Sequence, residues 1–244
     1  MKRVLIYLYG LGSYVISMLT LLYAIGFLGN IWVPRSIDSP RDSTLGFAFA
    51  VDLALLLLFA LQHSVMARPA FKQWWTRIIP AAAERSTYVL FSSVALMVLF
   101  ACWHPLGGTV WDVSSPQARI ACHGVFALGW GVLVVSTFLI NHFDLFGMRQ
   151  VTLHLLGRPY SPLPFRTPFF YRYVRHPIYV GWLLTFWATP TMTIAHLVFA
   201  VGTTVYILVA IGFEERDLVA EFPEYEAYRA KVPMLIPSAS AHRG

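Results

Sequence analysis

Long apolar stretches with almost no charged side chain dominate this sequence and limit what it can fold into. Four of them are long enough to cross a bilayer as α-helices, and they run from about Val4 to Val33, Leu45 to Met66, Ser86 to His104 and Ile120 to Ile140. Only 12% of the residues are charged, whereas 57% are hydrophobic. Such a chain cannot cover itself with a surface compatible with water. The sequence therefore predicts an integral membrane protein and excludes a soluble nucleic-acid-binding domain.

A fifth apolar stretch, from Ile178 to Gly212, is too long for a single crossing. Its 35 residues would form a helix of roughly 52 Å, while the hydrocarbon core of a bilayer is only about 30 Å thick. Pro190 lies near the middle and lacks the N–H group that sustains a helix. We therefore predict a helical hairpin with two short arms. The predicted fold is an all-α, polytopic membrane bundle of four spans plus this C-terminal hairpin, five to six membrane helices in all, followed by a cytoplasmic tail helix.

The basic residues predict the orientation of the chain. Nine of them lie in the loops that follow the second and fourth spans: Arg68, Lys72, Arg77, Arg85, Arg149, Arg158, Arg166, Arg172 and Arg175. Loops rich in lysine and arginine remain on the cytoplasmic side. A hairpin returns the end of the chain to the side on which it started. Both termini and both basic loops are therefore predicted to be cytoplasmic.

Most polar residues follow the fourth span, which predicts a functional division of one integrated membrane domain. Residues 1–140 form a four-helix membrane region, and residues 141–244 supply a polar loop, the hairpin and the tail. Arg175 and His176 precede the hairpin, whereas Glu214 and Glu215 follow it. Because the two ends of a hairpin meet, we expect these four residues to lie together, and we call them the rim.

The rim has two interpretations. Pro177 suits the first position of a helix, so the rim contains a helix N-terminus, which attracts anions. A ligand carboxylate fits there, while Glu214 and Glu215 can accept hydrogen bonds from an ammonium group or from ribose hydroxyls. The alternative is a salt-bridge network at the membrane interface that fixes the hairpin. The residues alone leave both open.

Two sequence blocks carry a resemblance to a known family. Residues 175–182 (RHPIYVGW) resemble the RHPxYxGW motif of integral-membrane methyltransferases that use S-adenosylmethionine. Residues 214–218 (EERDL), with Tyr225, Tyr228, Val232 and Pro233, resemble the EExxL and YxxYxxxVP blocks of the same proteins. Isoprenylcysteine carboxyl methyltransferases and phospholipid methyltransferases carry both blocks in this order.

Earlier segments are similar to one branch of that family. Residues 62–68 (QHSVMAR), 84–88 (ERSTY) and 141–150 (NHFDLFGMRQ) resemble the bacterial methanethiol S-methyltransferases, which make dimethyl sulfide. The resemblance implies methylation of a small thiol, methanethiol, with S-adenosylmethionine as cofactor, in the inner membrane of a bacterium. The implied partners are the thiol and membrane lipid, with no metal and no nucleic acid.

The resemblance also implies a set of site residues. Those expected to bind S-adenosylmethionine are His142, Arg149, Tyr173, Val174, Arg175, His176, Pro177, Tyr179, Glu214 and Glu215. His142 directly follows the fourth span, and a histidine is suited to take the thiol proton. The alternatives are that His142 only binds the cofactor, and that His63 or no protein base takes the proton. His63 either lines the thiol pocket or bonds to a neighbouring helix.

Other activities remain open from the sequence. Within the methyltransferases, the acceptor is alternatively an isoprenylcysteine or a phospholipid. In another class, an NADPH-dependent membrane reductase has a loosely similar hairpin, and Arg149, Arg166 and Arg172 can contact its phosphates. A non-catalytic membrane protein associated with denitrification shares some of the early sequence.

Overall fold

The structure of the chain is a computed structural model that describes residues 1–40 and 43–237. The helices in these residues are α1 (Lys2–Gly29), α2 (Leu45–Ala67), α3 (Pro69–Trp75), α4 (Ala81–Cys102), α5 (Pro116–Ile140), α6 (His142–Leu145), α7 (Met148–Leu155), α8 (Pro177–Trp187), α9 (Ile194–Glu221) and α10 (Glu224–Lys231). Two short strands, β1 (Thr109–Asp112) and β2 (Thr191–Thr193), pair in a two-stranded sheet. The last residues of the predicted cytoplasmic tail, 238–244, lie outside the described residues.

Five of the described helices are long and apolar enough to cross a membrane, namely α1, α2, α4, α5 and α9. The helix α8 is apolar but has only 11 residues. The prediction of a helical, polytopic membrane protein is therefore confirmed. The start of α4 differs from the prediction, because Ala81 precedes the expected Ser86 by five residues. Glu84 and Arg85 lie near this start. The predicted span began after them because it was limited to uncharged residues, whereas the helix includes both charged side chains.

The C-terminal hairpin is asymmetric. Its first arm is α8, its turn contains Pro190 and β2, and its second arm is α9 with 28 residues. The expectation that both arms are short is wrong for the second arm. The helix continues beyond the apolar run that ends at Gly212, because polar residues sustain a helix as well as apolar ones. It stops at Glu221, and Pro223 lies at the N-cap of the following helix.

The chain divides into two compact units that interleave along the sequence. The first contains Met1–Val110, His142–Ser161 and Met192–Phe199. The second contains Trp111–Asn141, Pro162–Thr191 and the chain from Ala200 onward. The functional division predicted between residues 140 and 141 stays a prediction.

In the first unit, α1 packs against α4 and α7, and α4 also packs against α2 and α7. A close contact joins α1 to α7, where a Cβ atom added at Gly10 would lie 2.7 Å from the methyl groups of Val151. A hydrogen bond of 2.9 Å from the Tyr9 hydroxyl to Thr87 Oγ1 ties α1 to α4. Helices in a membrane associate through such small residues and hydrogen bonds, since lipid is as apolar as their side chains.

In the second unit, α5 and α8 cross with their backbones in contact. A Cβ atom at Gly181 would lie 2.7 Å from the backbone nitrogen of Leu133 and 2.8 Å from the carbonyl oxygen of Gly129. A larger residue at Gly129 or Gly181 would require the backbone to move. These two glycines therefore determine the position at which α8 packs against α5. Gly181 belongs to the RHPIYVGW block, and its packing therefore sets the position of the residues at the start of α8.

Candidate functional site: the rim, His142 and His63

The rim contains a buried ionic cluster in the second unit. Arg175 Nε donates to Glu215 Oε1 over 2.7 Å, and both side chains are only 11% exposed. His176 Nε2 donates to the same oxygen over 3.0 Å, and its ring is buried. The Glu215 carboxylate thus accepts hydrogen bonds from both Arg175 and His176. Because ionised groups out of water are costly when unpaired, this cluster corresponds to the network expected to fix the hairpin.

Backbone hydrogen bonds attach the tail to the rim. The amide N–H groups of Arg175 and His176 donate to the carbonyl oxygens of Pro233 and Met234, over 2.9 Å and 3.2 Å. Arg175 Nη1 also donates to the carbonyl oxygens of Arg229 and Val232, so one guanidinium bridges the acid and the tail. The segment from Pro233 to Met234 therefore holds Arg175 in a fixed orientation.

Glu214 is the accessible acid of the rim. Its side chain is 41% exposed, and the Tyr179 hydroxyl donates to its Oε2 over 2.8 Å. His176 Nδ1 lies 4.0 Å from the same oxygen. Tyr173, two residues before Arg175, is 42% exposed. Glu214 and Tyr173 are thus accessible at the surface of the protein, whereas Glu215 faces Arg175.

The start of α8 is buried beside this acid. His176 is the N-cap residue and Pro177 the first helical residue, as expected from the sequence. Val174 and Pro177, on either side of Arg175 and His176 in the sequence, are buried. The N–H groups of a first helical turn have no partner within the helix, and their positive ends favour an anion at this place.

The helix α10 covers the rim with aromatic side chains. The Tyr225 hydroxyl donates to Glu215 Oε1 over 3.4 Å, and Tyr228 donates to the carbonyl oxygen of Tyr171. Phe165 packs against both tyrosine rings, with centroids 5.7 Å and 5.4 Å away. Burial raises the pKa of Tyr225, so its hydroxyl stays protonated and donates at any physiological pH.

His142 lies in the first unit, where it begins α6. The ring is buried, and its Nε2 is hydrogen bonded to the Tyr14 hydroxyl at 2.9 Å. The ring of Phe146 packs against it with centroids 4.8 Å apart. Burial lowers the pKa of His142 below its usual value of 6.5. The imidazole is therefore neutral at pH 7 and has the charge state that a proton acceptor requires.

Arg149 forms a polar cluster of its own in the first unit. Its Nη1 lies 2.8 Å from Asp144 Oδ1 and donates to the carbonyl oxygen of Ser161 over 3.0 Å. The guanidinium stands over the ring of Tyr160, 5.0 Å from the centroid. These contacts orient Arg149 within its own unit.

His63 bonds to α4 through both ring nitrogens. Its Nδ1 is hydrogen bonded to Ser92 Oγ at 3.0 Å, and its Nε2 to the Tyr88 hydroxyl at 2.7 Å. Phe59 stacks on the ring at a centroid distance of 5.2 Å. Two hydroxyl partners on a neighbouring helix favour the structural alternative for His63.

The structure thus brings Arg175, His176 and Tyr179 together with Glu214 and Glu215. His142, Arg149 and His63 belong to the other compact unit. Sequence reasoning missed Tyr14, which lies in α1, 128 positions before His142. In the chain as described, residues 1–40 and 43–237, no group of three or more histidine, cysteine or acidic side chains is arranged to hold a metal ion.

Comparison with known proteins gives relatives that extend over nearly the whole chain. A methanethiol S-methyltransferase of Crocosphaera subtropica is 58% identical over 97% of this chain and 93% of its own length. A methanethiol S-methyltransferase of Mycobacterium tuberculosis is 50% identical over 99% of this chain and its full length. Nurim of Rattus norvegicus is 32% identical over 73% of this chain and 71% of its own length. No protein-family model and no solved structure matches the chain.

Proposed function

The chain belongs to the family of the methanethiol S-methyltransferases, and from this membership we propose that it transfers a methyl group to methanethiol and forms dimethyl sulfide. The observation that carries the proposal is the 58% identity to a protein of that name over 97% of the chain. An enzyme of this family needs a methyl donor and a way to ionise the thiol. The residues described above supply candidates for both tasks.

We propose S-adenosylmethionine as the methyl donor, held at the rim. The half-exposed Glu214, with Tyr179 donating to one of its oxygens, suits an ammonium group or ribose hydroxyls. The first turn of α8, at Pro177, suits a carboxylate. When bound, the cofactor supplies a methyl group on a positively charged sulfur. In this assignment the ion pair of Arg175 and Glu215 stabilises the rim. Glu214, Tyr173 and Tyr179 contact the ligand. Arg149 remains a predicted contact of the cofactor.

The thiol must lose its proton before its sulfur attacks the methyl group, because the thiolate is the reactive nucleophile. A thiol with a pKa of about 8.5 is only a few per cent ionised at pH 7. We assign the proton to the neutral imidazole of His142, whose lowered pKa keeps it unprotonated at that pH. The S–H bond breaks and its proton passes to the ring of His142. The thiolate sulfur would then bond to the methyl carbon, while the bond from that carbon to the positively charged sulfur of the cofactor breaks and leaves its electron pair on that sulfur. The products are dimethyl sulfide and S-adenosylhomocysteine.

We also propose that the rim faces the cytoplasm from the inner membrane. The excess of basic residues in the loops that follow the second and fourth predicted spans supports that orientation. A charged cofactor requires an aqueous approach, whereas an apolar thiol can enter from the bilayer.

The activity is tested with the purified full chain in detergent. Headspace gas chromatography should detect dimethyl sulfide when S-adenosylmethionine and methanethiol are both present, and none when either is left out. A prenylcysteine analogue and phosphatidylethanolamine serve as rival acceptors. Methylation of either rival with no dimethyl sulfide formed would reject methanethiol as the acceptor.

We expect Glu214→Gln to weaken the binding of S-adenosylhomocysteine by roughly 10- to 150-fold, measured by calorimetry. A hydrogen bond to a charged group contributes about 1.5–3 kcal/mol, and the neutral amide loses that charge. Glu224→Gln is the matched control, because Glu224 is an exposed acid in the first turn of α10 and should bind as wild type does. Equal affinity in the two variants would remove Glu214 from the cofactor site.

A further inference from the structure

The first unit contains a polar cavity that the proposed reaction does not use. Its volume is about 490 Å³, within the range of sites that hold small organic ligands. The lining comes from Lys72 in α3, the first turn of α4, the α6–α7 segment and the loop after α7. We propose that this cavity binds the phosphate-bearing, hydroxylated headgroup of an anionic membrane phospholipid.

The charges of the lining favour a phosphate. Lys72, Arg85 and Arg158 contribute three cations. Of the two acids, Asp144 is neutralised by its salt bridge of 2.8 Å to Arg149. Only Glu84 then opposes the three cations, so the cavity has an excess of positive charge. An anion is the ligand that such a lining stabilises.

Two features of the lining favour the binding of an anion, namely the fixed guanidinium of Arg85 and the start of α4. Arg85 Nε donates to the carbonyl oxygen of Leu145 over 2.7 Å, and its guanidinium stands 5.0 Å from the centroid of the Tyr88 ring. Its charge is therefore fixed in one place. Ala81 and Ala82 line the cavity as the first residues of α4, a helix of 22 residues without a side-chain N-cap bond. The amide groups of such a helix start point their positive ends at an anion.

Gln150 adds an acceptor for a hydroxyl group. The side chain is buried and lines the cavity, and its Nε2 donates to the carbonyl oxygen of Asp144. Its Oε1 is buried and, within residues 1–40 and 43–237, accepts no hydrogen bond. A buried amide oxygen without a donor is costly. The oxygen is closed to solvent in this structure, so a headgroup with hydroxyls beside its phosphate supplies that donor after a rotation of the Gln150 side chain, whereas a choline headgroup has none.

The position of the cavity identifies the source of the phosphate as a lipid. It is lined by the first turn of the membrane span α4 and by α3, which directly follows the span α2. The same segments expose large apolar side chains, namely Trp74, Ile78 and Leu156. Basic pockets at the ends of membrane helices bind anionic headgroups, and aromatic residues such as Trp74 are enriched at the headgroup level of a bilayer.

The experiment measures lipid binding to the full chain in detergent by native mass spectrometry. Dioleoyl phosphatidylglycerol should bind wild type more tightly than dioleoyl phosphatidylcholine. Each basic side chain near an anionic lipid contributes about fivefold in affinity. The double variant Lys72→Gln/Arg158→Gln should therefore bind phosphatidylglycerol about 25-fold more weakly. The matched control Arg77→Gln/Arg166→Gln removes the same charge from residues that do not line the cavity, and it should bind within about twofold of wild type.

Three results would overturn the proposal. An equal loss in both double variants would mean that total charge, and not this cavity, attracts the lipid. Binding of glycerol 3-phosphate to wild type without retention of phosphatidylglycerol would identify a free phosphate ester as the ligand. A parallel loss of S-adenosylhomocysteine affinity in Lys72→Gln/Arg158→Gln would assign the cavity to the cofactor. The lipid measurement needs no turnover, so it stands whether or not dimethyl sulfide is formed.

Discussion

Replacing His142 by asparagine is expected to lower turnover by about 10²- to 10⁴-fold at pH 7, the usual contribution of a general base. Asparagine keeps a polar side chain but cannot take a proton, and it is too short to replace Nε2, which lies 2.9 Å from the Tyr14 hydroxyl. Because burial lowers the pKa of His142, the wild-type rate should fall only below about pH 6.5. In the variant the rate should rise with pH, since free thiolate becomes abundant as the thiol ionises.

The measurement combines the pH–rate profile with the affinity for S-adenosylhomocysteine. Near-normal affinity, low turnover and partial recovery at high pH identify a base. A fall in turnover that only follows the loss of cofactor binding, with the wild-type pH profile, identifies His142 as a binding residue and contradicts the assignment. His63→Asn is the companion variant, because His63 is the other candidate base. The base signature in His63→Asn alone would transfer the role to that residue.

Replacing Glu215 by alanine is expected to reduce the free energy of unfolding by about 3–5 kcal/mol. This carboxylate accepts hydrogen bonds from Arg175 over 2.7 Å and from His176 over 3.0 Å, and it is nearly buried. Its removal leaves the guanidinium charge of Arg175 without its acid, and breaking a buried pair from one side has a cost of this size. Unfolding in mixed detergent micelles, followed by tryptophan fluorescence, measures the change.

Glu226→Ala is the matched control for that measurement. Glu226 pairs with Arg229 at 3.8 Å, but its side chain is 71% exposed, and surface ion pairs contribute less than about 1 kcal/mol. The double variant Arg175→Met/Glu215→Leu removes both charges and should recover much of the loss, because apolar replacement of a buried pair is often neutral. If Glu215→Ala is no less stable than Glu226→Ala, the rim does not hold the hairpin.

The membrane spans could be predicted because charge-free runs of this length have few alternatives. The limits of the helices were harder to predict, since α4 and α9 continue through charged residues such as Arg85 and Glu214. The strand pair β1–β2 has only four and three residues, too few for a pattern of alternating side chains to be recognised. The crossing of Gly129 and Gly181 depends on two helices distant in sequence, and composition cannot indicate it.

Some contacts of the candidate site could be predicted from the sequence and others could not. The meeting of Arg175 with Glu215 follows from the hairpin, because a chain that reverses must bring its ends together. The division of roles between Glu214 and Glu215 does not follow, since it depends on which side of α9 faces the tail. Tyr14 was missed because α1 contains several tyrosine, serine and threonine hydroxyls, and nothing in the sequence distinguishes this one. Its role becomes visible only from its hydrogen bond to His142.

The backbone bonds between the rim and the tail set an order in biosynthesis. Arg175 and His176 are hydrogen bonded to Pro233 and Met234, which the ribosome adds 58 residues later. The membrane helices before the tail can therefore be inserted while the rim still lacks its final contacts. A messenger truncated after the codon for Glu221 would encode all five candidate spans and the four residues of the rim, but none of the tail carbonyls that bind Arg175 and His176. Such a product could be inserted into the membrane with Glu215 as the remaining partner of Arg175.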